Sequence, residues 1–160
     1  MVRSAAQPSS RSRGHHLLLF DGHCGLCTSL VQFILAHDRA GIFHFASMSS
    51  PEGRATVTRH GGDPDDASTV YVVADYQTPG ARRLIRSRAA LFVVGAIGWP
   101  WKALTLFGVL PTVLLDRLYD VVARNRYRVF GRREQCLMPR PEWQDRFIDL
   151  REPAGDVAGD

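Results

Sequence analysis

Twelve residues, HLLLFDGHCGLC at 16–27, constrain this chain more than any others. His16–Phe20 is a short apolar run of the kind expected for a strand covered on both faces. Asp21-Gly22 breaks it. From Cys24 to about His37, the residues Cys27, Leu30, Val31, Ile34 and Leu35 fall on one helical stripe, which Asp38 and Gly41 end. A Cys-x-x-Cys therefore stands at the mouth of the first helix, directly after the first strand.

The rest of the chain continues the alternation. Ile42–Ala46 reads as a second strand. Met48–His60 reads as a second helix, entered through Ser49-Ser50-Pro51-Glu52, where serine suits the cap and proline the first turn. Gly61–Asp65 is a loop. Ser68–Ala74 has the β-branched and aromatic content of a strand, and with the turn 75–80 and Arg82–Ile85 it forms a hairpin. A helix follows over Ser87–Ile97, with Ser87 as candidate cap. Beyond Pro100 come one or two apolar helices, then an arginine-rich one over about Thr112–Arg128. The order is β-α-β-α-β-β-α with additional C-terminal helices, an α/β thioredoxin-like sheet. Helical connections between the first three strands predict parallel neighbours. Residues 1–14 and 151–160 lack periodicity and read as disordered tails around a single domain at 15–150.

Composition narrows the function classes. The chain has 160 residues and a net charge of +4, but 19 of its 20 basic residues are arginine and only Lys102 is lysine. No aromatic–basic RNA signature or zinc-finger spacing accompanies that charge, so no nucleic-acid partner is expected. The uncharged stretches 89–101 and 103–115 fall short of the roughly 20 residues that a bilayer span needs. No transmembrane span is expected, although peripheral membrane contact through this region stays open. The basic stretch at 1–14 shows no apolar run before a small-residue cleavage site, so no secretory signal is expected. Three cysteines, two of them in a C-x-x-C, do not make a disulfide-stapled secreted domain, so a reducing, cytoplasmic setting is expected.

The placement of Cys24 has chemical consequences. The first amides of a helix lack intrahelical partners and carry partial positive charge, so a thiol there ionises more readily. Thiolate is the attacking form in disulfide exchange. Cys24 is expected to be the exposed attacker and Cys27, one turn on, the less accessible resolving thiol. Two other readings remain open for the pair: a zinc or iron–sulfur site completed by Cys136 and a histidine such as His23, or inert buried thiols. Asp21 either shapes the turn or exchanges a proton with Cys27. The histidines show no metal-binding spacing, so no separate metal centre is expected. No organic cofactor is expected either, because a dithiol itself carries two electrons.

Phe20–Cys27, FDGHCGLC, resembles the D-G-x-C-x-x-C signature of the DCC family of thiol-disulfide oxidoreductases. The likeness extends through Val31–Ile34, Phe43–Ser47 and Ser87–Leu91. It continues at Asp116–Asp120, Ala123–Arg128 and Phe130-Gly131, and closes at Cys136-Leu137-Met138-Pro139. The resemblance covers roughly residues 16–149 and implies a thioredoxin-like protein that exchanges thiols and disulfides. The partners expected of such a dithiol are protein or small-molecule thiols and disulfides. It departs from thioredoxins proper in one place. Those carry a cis-proline just before a central strand, whereas Ala67-Ser68-Thr69 leads into the strand here, so substrate docking beside the cysteines is expected to differ.

The arginine-rich segment 115–133 has three readings: a helix with solvated arginines, a source of positive charge beside the C-x-x-C, or part of a membrane-surface patch with the apolar stretch before it. The alternative to an exchange enzyme is a non-catalytic module that binds metal through the cysteines or docks a partner or membrane through this basic and apolar half. Cys136 is either an apolar filler or a third redox thiol.

Overall fold

The computed structural model describes residues 15–66, 69–132, 134 and 138–150. Cys136 and the two segments read as tails lie outside the described residues.

A four-stranded mixed sheet has the order β2-β1-β3-β4, built from β1 (His15–Phe20), β2 (Phe43–Ser47), β3 (Tyr71–Tyr76) and β4 (Arg82–Ile85). With the helices around it, this is a thioredoxin-like fold. The strand β1 is central because its side chains serve two cores. Leu18 and Phe20 face the side covered by α1 (Gly25–His37) and α3 (Arg86–Ile97), meeting Val31, Ile34 and Val93. Leu17 and Leu19 face the side of α2 (Pro51–Arg59), meeting Val57, Tyr71 and Val73. Alternation on a strand buried on both faces explains why the run reads as continuously apolar.

The strand directions correct one expectation. β1 and β2 are parallel, but β3 runs antiparallel to β1. Nine residues of α2 advance about 13 Å and bring the chain back along the sheet, where the His60 ring meets that of Tyr76, opposite the start of β1. β3 nevertheless starts at the end where β2 leaves, Tyr71 pairing with Leu19, so the connection after α2 and not the helix decides the direction, and the hairpin to β4 follows as expected.

Local capping is mixed. Ser50 caps α2, its Oγ accepting the Gly53 amide at 3.0 Å, with Pro51 in the first turn. Ser87 is not a cap. The helix α3 begins one residue earlier, and the Ser87 hydroxyl donates instead to Asp116 on α4 (Thr112–Phe130). Between α3 and α4 the apolar segment forms a single 3-10 helix, Trp101–Val109. At the far edge, the chain after a short turn at Pro141–Arg146 lies along β2. The Ile148 amide donates to the Phe45 carbonyl at 2.9 Å, and Arg146 pairs with the buried Asp38 that ends α1. That cover blunts the open edge of β2.

Candidate active site

The turn at Asp21-Gly22-His23 delivers Cys24 to the start of α1. The Asp21 carbonyl accepts the Cys24 amide at 3.2 Å, and its Oδ1 accepts the His23 amide at 3.0 Å. Asp21 thus holds the turn with both its carbonyl and its carboxylate. Cys24 is the N-cap residue, with extended backbone angles, and its Sγ accepts the Cys27 amide at 3.5 Å. Sulfur here does what a serine or aspartate oxygen does at other helix starts. Both cysteines are free thiols.

Cys24 differs from expectation in exposure. It is 0% accessible and Cys27 is 2%. The cause is the chain leaving α4. Arg132 forms an isolated antiparallel bridge with Cys24, and the Gly25 amide points to the Gly131 carbonyl at 3.4 Å. A Cβ built on Gly25 would sit 2.4 Å from the Phe130 carbonyl oxygen, so only glycine admits this backbone so close to the helix start.

α4 also supplies the charge. Arg126 is 3% exposed, with Nη1 3.9 Å from Cys27 Sγ, Nη2 3.5 Å from Asp21 Oδ2 and Nη2 donating to the Tyr127 hydroxyl at 2.9 Å. The Tyr127 hydroxyl in turn donates to Asp21 Oδ2. Asp21, Arg126 and Cys27, all buried, and the half-buried Tyr127 thus form one group that joins the turn, α1 and α4. Of the arginines in the basic segment, this one sits beside the thiols, while Arg117, Arg124 and Arg128 are exposed. A helical count could have found it: Arg126 is seven residues from Tyr119 and three from Ala123, on the half-buried face, and the other three fall outside that face.

Burial pushes the Cys27 thiol from its ordinary 9.0 up to about 12, with the neighbouring Cys24 sulfur adding to the rise and Arg126 and an Asp21 backbone hydrogen bond opposing it. Burial likewise raises the phenols of Tyr119 and Tyr127. For Arg126, burial works downward but is outweighed by Cys27, Tyr127 and Cys24, and its pKa is raised. Groups with raised folded pKa values hold their protons more tightly when folded. Their stabilisation is fully present below their unfolded values and is lost as pH climbs through the folded ones. The reduced protein is therefore expected to lose thermal stability progressively above about pH 9, towards pH 12. Melts of Cys27→Ala across that window check this; a wild-type slope no steeper than the variant's contradicts it.

A polar cleft of about 260 Å³ opens beside this group, with Asp21, His23, Ser49, Arg54, Tyr127 and Arg132 on its walls. Neither cysteine is among the described residues lining it. The backbone just before β3, where thioredoxins place their cis-proline, is occupied from α4. The Tyr119 hydroxyl accepts the Val70 amide at 3.1 Å. No three His, Cys, Asp or Glu side chains gather as a metal site among the described residues.

Comparison with known proteins gives the family. The family model described as DCC1-like thiol-disulfide oxidoreductase matches residues 18–132, which begin in β1 and end at the Cys24 bridge. The uncharacterized protein YuxK of Bacillus subtilis (strain 168) is 33% identical over 134 residues, covering 84% of this chain and 94% of that protein. A chloroplastic DCC family protein of Arabidopsis thaliana is 37% identical over 121 residues, covering 75% of this chain and 67% of that protein. No solved structure matches at a significant level.

Proposed function

This chain belongs to the DCC1-like thiol-disulfide oxidoreductase family, and from that premise we propose that it is an enzyme exchanging electrons through Cys24 and Cys27, with Cys24 attacking and Cys27 resolving. The observation that carries the order of attack is asymmetric support: the Cys24 sulfur caps the helix and accepts an amide, whereas burial holds the Cys27 proton tightly.

In the reducing direction, Cys24 thiolate attacks a substrate disulfide. The first substrate sulfur leaves as thiolate and takes up a proton, and a Cys24 mixed disulfide remains. Cys27 then attacks Cys24 Sγ, releasing the second substrate thiolate, which takes up the proton that Cys27 gives up. Two electrons and two protons have passed to the substrate, and the enzyme holds a Cys24–Cys27 disulfide. Arg126, 3.9 Å from Cys27 Sγ, stabilises the resolving thiolate as it forms. Asp21 acts as a positioning residue, holding Arg126 and Tyr127 against the turn. Attack requires the segment 130–132 to lift from Cys24, and Gly131, at φ 75°, is the natural pivot.

The substrates on this reading are protein or small-molecule thiols and disulfides, not nucleic acid, and no cofactor is needed. The chemistry suits a reducing compartment such as the cytoplasm, where a dithiol is regenerated. No described helix is long and apolar enough to cross a membrane. Trapping tests the assignment. Cys27→Ser incubated with glutathione disulfide is expected to accumulate a mixed disulfide at Cys24, and Cys24→Ser is not. Mass mapping of the oxidised wild type is expected to return Cys24–Cys27. A dominant bond to Cys136, or trapping through Cys27, overturns the order.

A further inference from the structure

A helix packed into a globular domain turns its apolar stripe inward. α4 does this with only part of its apolar surface. Tyr119, Ala123, Arg126 and Tyr127 face the domain, yet Leu114, Leu118, Val121, Val122 and Val129, repeating at three, four and seven residues, form a second apolar row that is exposed. The 3-10 helix before it is more extreme. Its sequence is WKALTLFGV, and none of its residues is buried. Leu106 and Val109 are 73% and 87% exposed, and Leu110, Val113 and Leu114 carry the apolar surface from it straight into α4. Contiguous apolar surface of this kind marks a docking face.

The charge around it selects the occupant. Residues 89–115 contain a single charged side chain, Lys102. Along α4, Arg117, Arg124 and Arg128 lie exposed in a row bordering the apolar row. The acidic residues of the same helix that could balance them are engaged elsewhere: Asp116 accepts from Ser87, and Asp120 pairs with Arg86 at 3.7 Å. A second copy docked symmetrically would bring the arginine row against itself. An apolar stripe with an arginine border is the pattern of a helix lying in a lipid interface, its aliphatic residues among the acyl chains and its arginines reaching the phosphates.

We propose that the 3-10 helix Trp101–Val109 and the outer face of α4 dock on the surface of a bilayer carrying anionic headgroups. Attachment is peripheral. Because the opposite face of α4 carries Arg126 and Tyr127 onto the thiol site, docking sets that site about one helix diameter, roughly 10–12 Å, beneath the headgroups.

Co-sedimentation of the full chain with vesicles is the test, comparing phosphatidylcholine–phosphatidylglycerol mixtures with phosphatidylcholine alone. Binding to the mixed vesicles is expected to be about tenfold or more tighter, and to weaken as salt is raised. Leu106→Glu with Phe107→Glu, and separately Arg117→Gln with Arg124→Gln, are each expected to lower it by about tenfold or more, with disulfide exchange in solution unchanged. Exposed positions tolerate these changes, and a retained melting temperature shows that the variants are folded. Failure to bind, equal binding to both vesicles, or binding indifferent to the variants overturns the proposal. So does a concentration-dependent dimer that the Leu106/Phe107 variant dissolves, which would assign the face to self-association.

Discussion

Arg126→Ala is expected to lower the unfolding free energy by about 3–5 kcal/mol, because it strips the cation from a buried carboxylate. Asp21 is 7% exposed and would keep the Tyr127 hydroxyl, the His23 amide and, at 3.7 Å, the partly exposed His23 ring, none of which replaces the buried guanidinium. Substituting lysine is not expected to restore the loss, since a compact ammonium cannot reach Cys27, Asp21 and Tyr127 together as a guanidinium does. Denaturant titration of Arg126→Ala, Asp21→Asn and the double variant decides the matter. If the two residues act as one unit, the double variant loses less than the sum of the singles. Strict additivity would mean that the ion pair does not exist in solution. The same substitution is expected to slow resolution more than attack, so a mixed disulfide at Cys24 should outlive its wild-type counterpart in stopped-flow traces.

Gly25→Ala is the second large effect, and its mechanism is steric. The new methyl would stand 2.4 Å from the Phe130 carbonyl oxygen and 3.3 Å from that of Gly131. Both are backbone atoms, so no side-chain rotation relieves the contact and the segment leaving α4 must move. Overpacking of this sort costs about 1–3 kcal/mol. That strain falls on the closed state of the segment covering Cys24, so iodoacetamide should alkylate Cys24 about fivefold to a hundredfold faster, each 1.4 kcal/mol being a factor of ten. An unchanged alkylation rate in a folded variant would show that residues 130–132 do not control access.

What could be read from the sequence was what depends on near neighbours. The Leu17–Phe20 run, the helical stripe through Val31 and Ile34, the Ser50 cap and the hairpin 71–85 rest on contacts within a few residues, and each is present. The direction of β3 was not legible because it depends on where the chain re-enters the sheet after α2, which no local pattern sets. Ser87 looked like a cap because its locale suits one, but a carboxylate 29 positions on competes for its hydroxyl. The thiol site divides the same way. The motif placed Cys24 and Cys27 at the helix mouth, whereas the cover over Cys24 and the choice of Arg126 come from a helix about a hundred residues later. Arginine identity carried no signal among so many arginines; only its phase on α4 did.

The antiparallel bridge between Cys24 and Arg132 turns reactivity into a question of timing. A sulfur sealed by its own main chain reacts at a pace set by the fraction of time it is uncovered, multiplied by its intrinsic nucleophilicity. Small diffusing disulfides and oxidants react in proportion to that open fraction, because most collisions meet a shut door. A disulfide presented on an extended stretch of polypeptide can compete for the same main-chain pairing and displace the cover as it arrives. Selection among substrates would then rest on shape before it rests on redox potential, and the dithiol would be spared the peroxide damage that open thiols suffer.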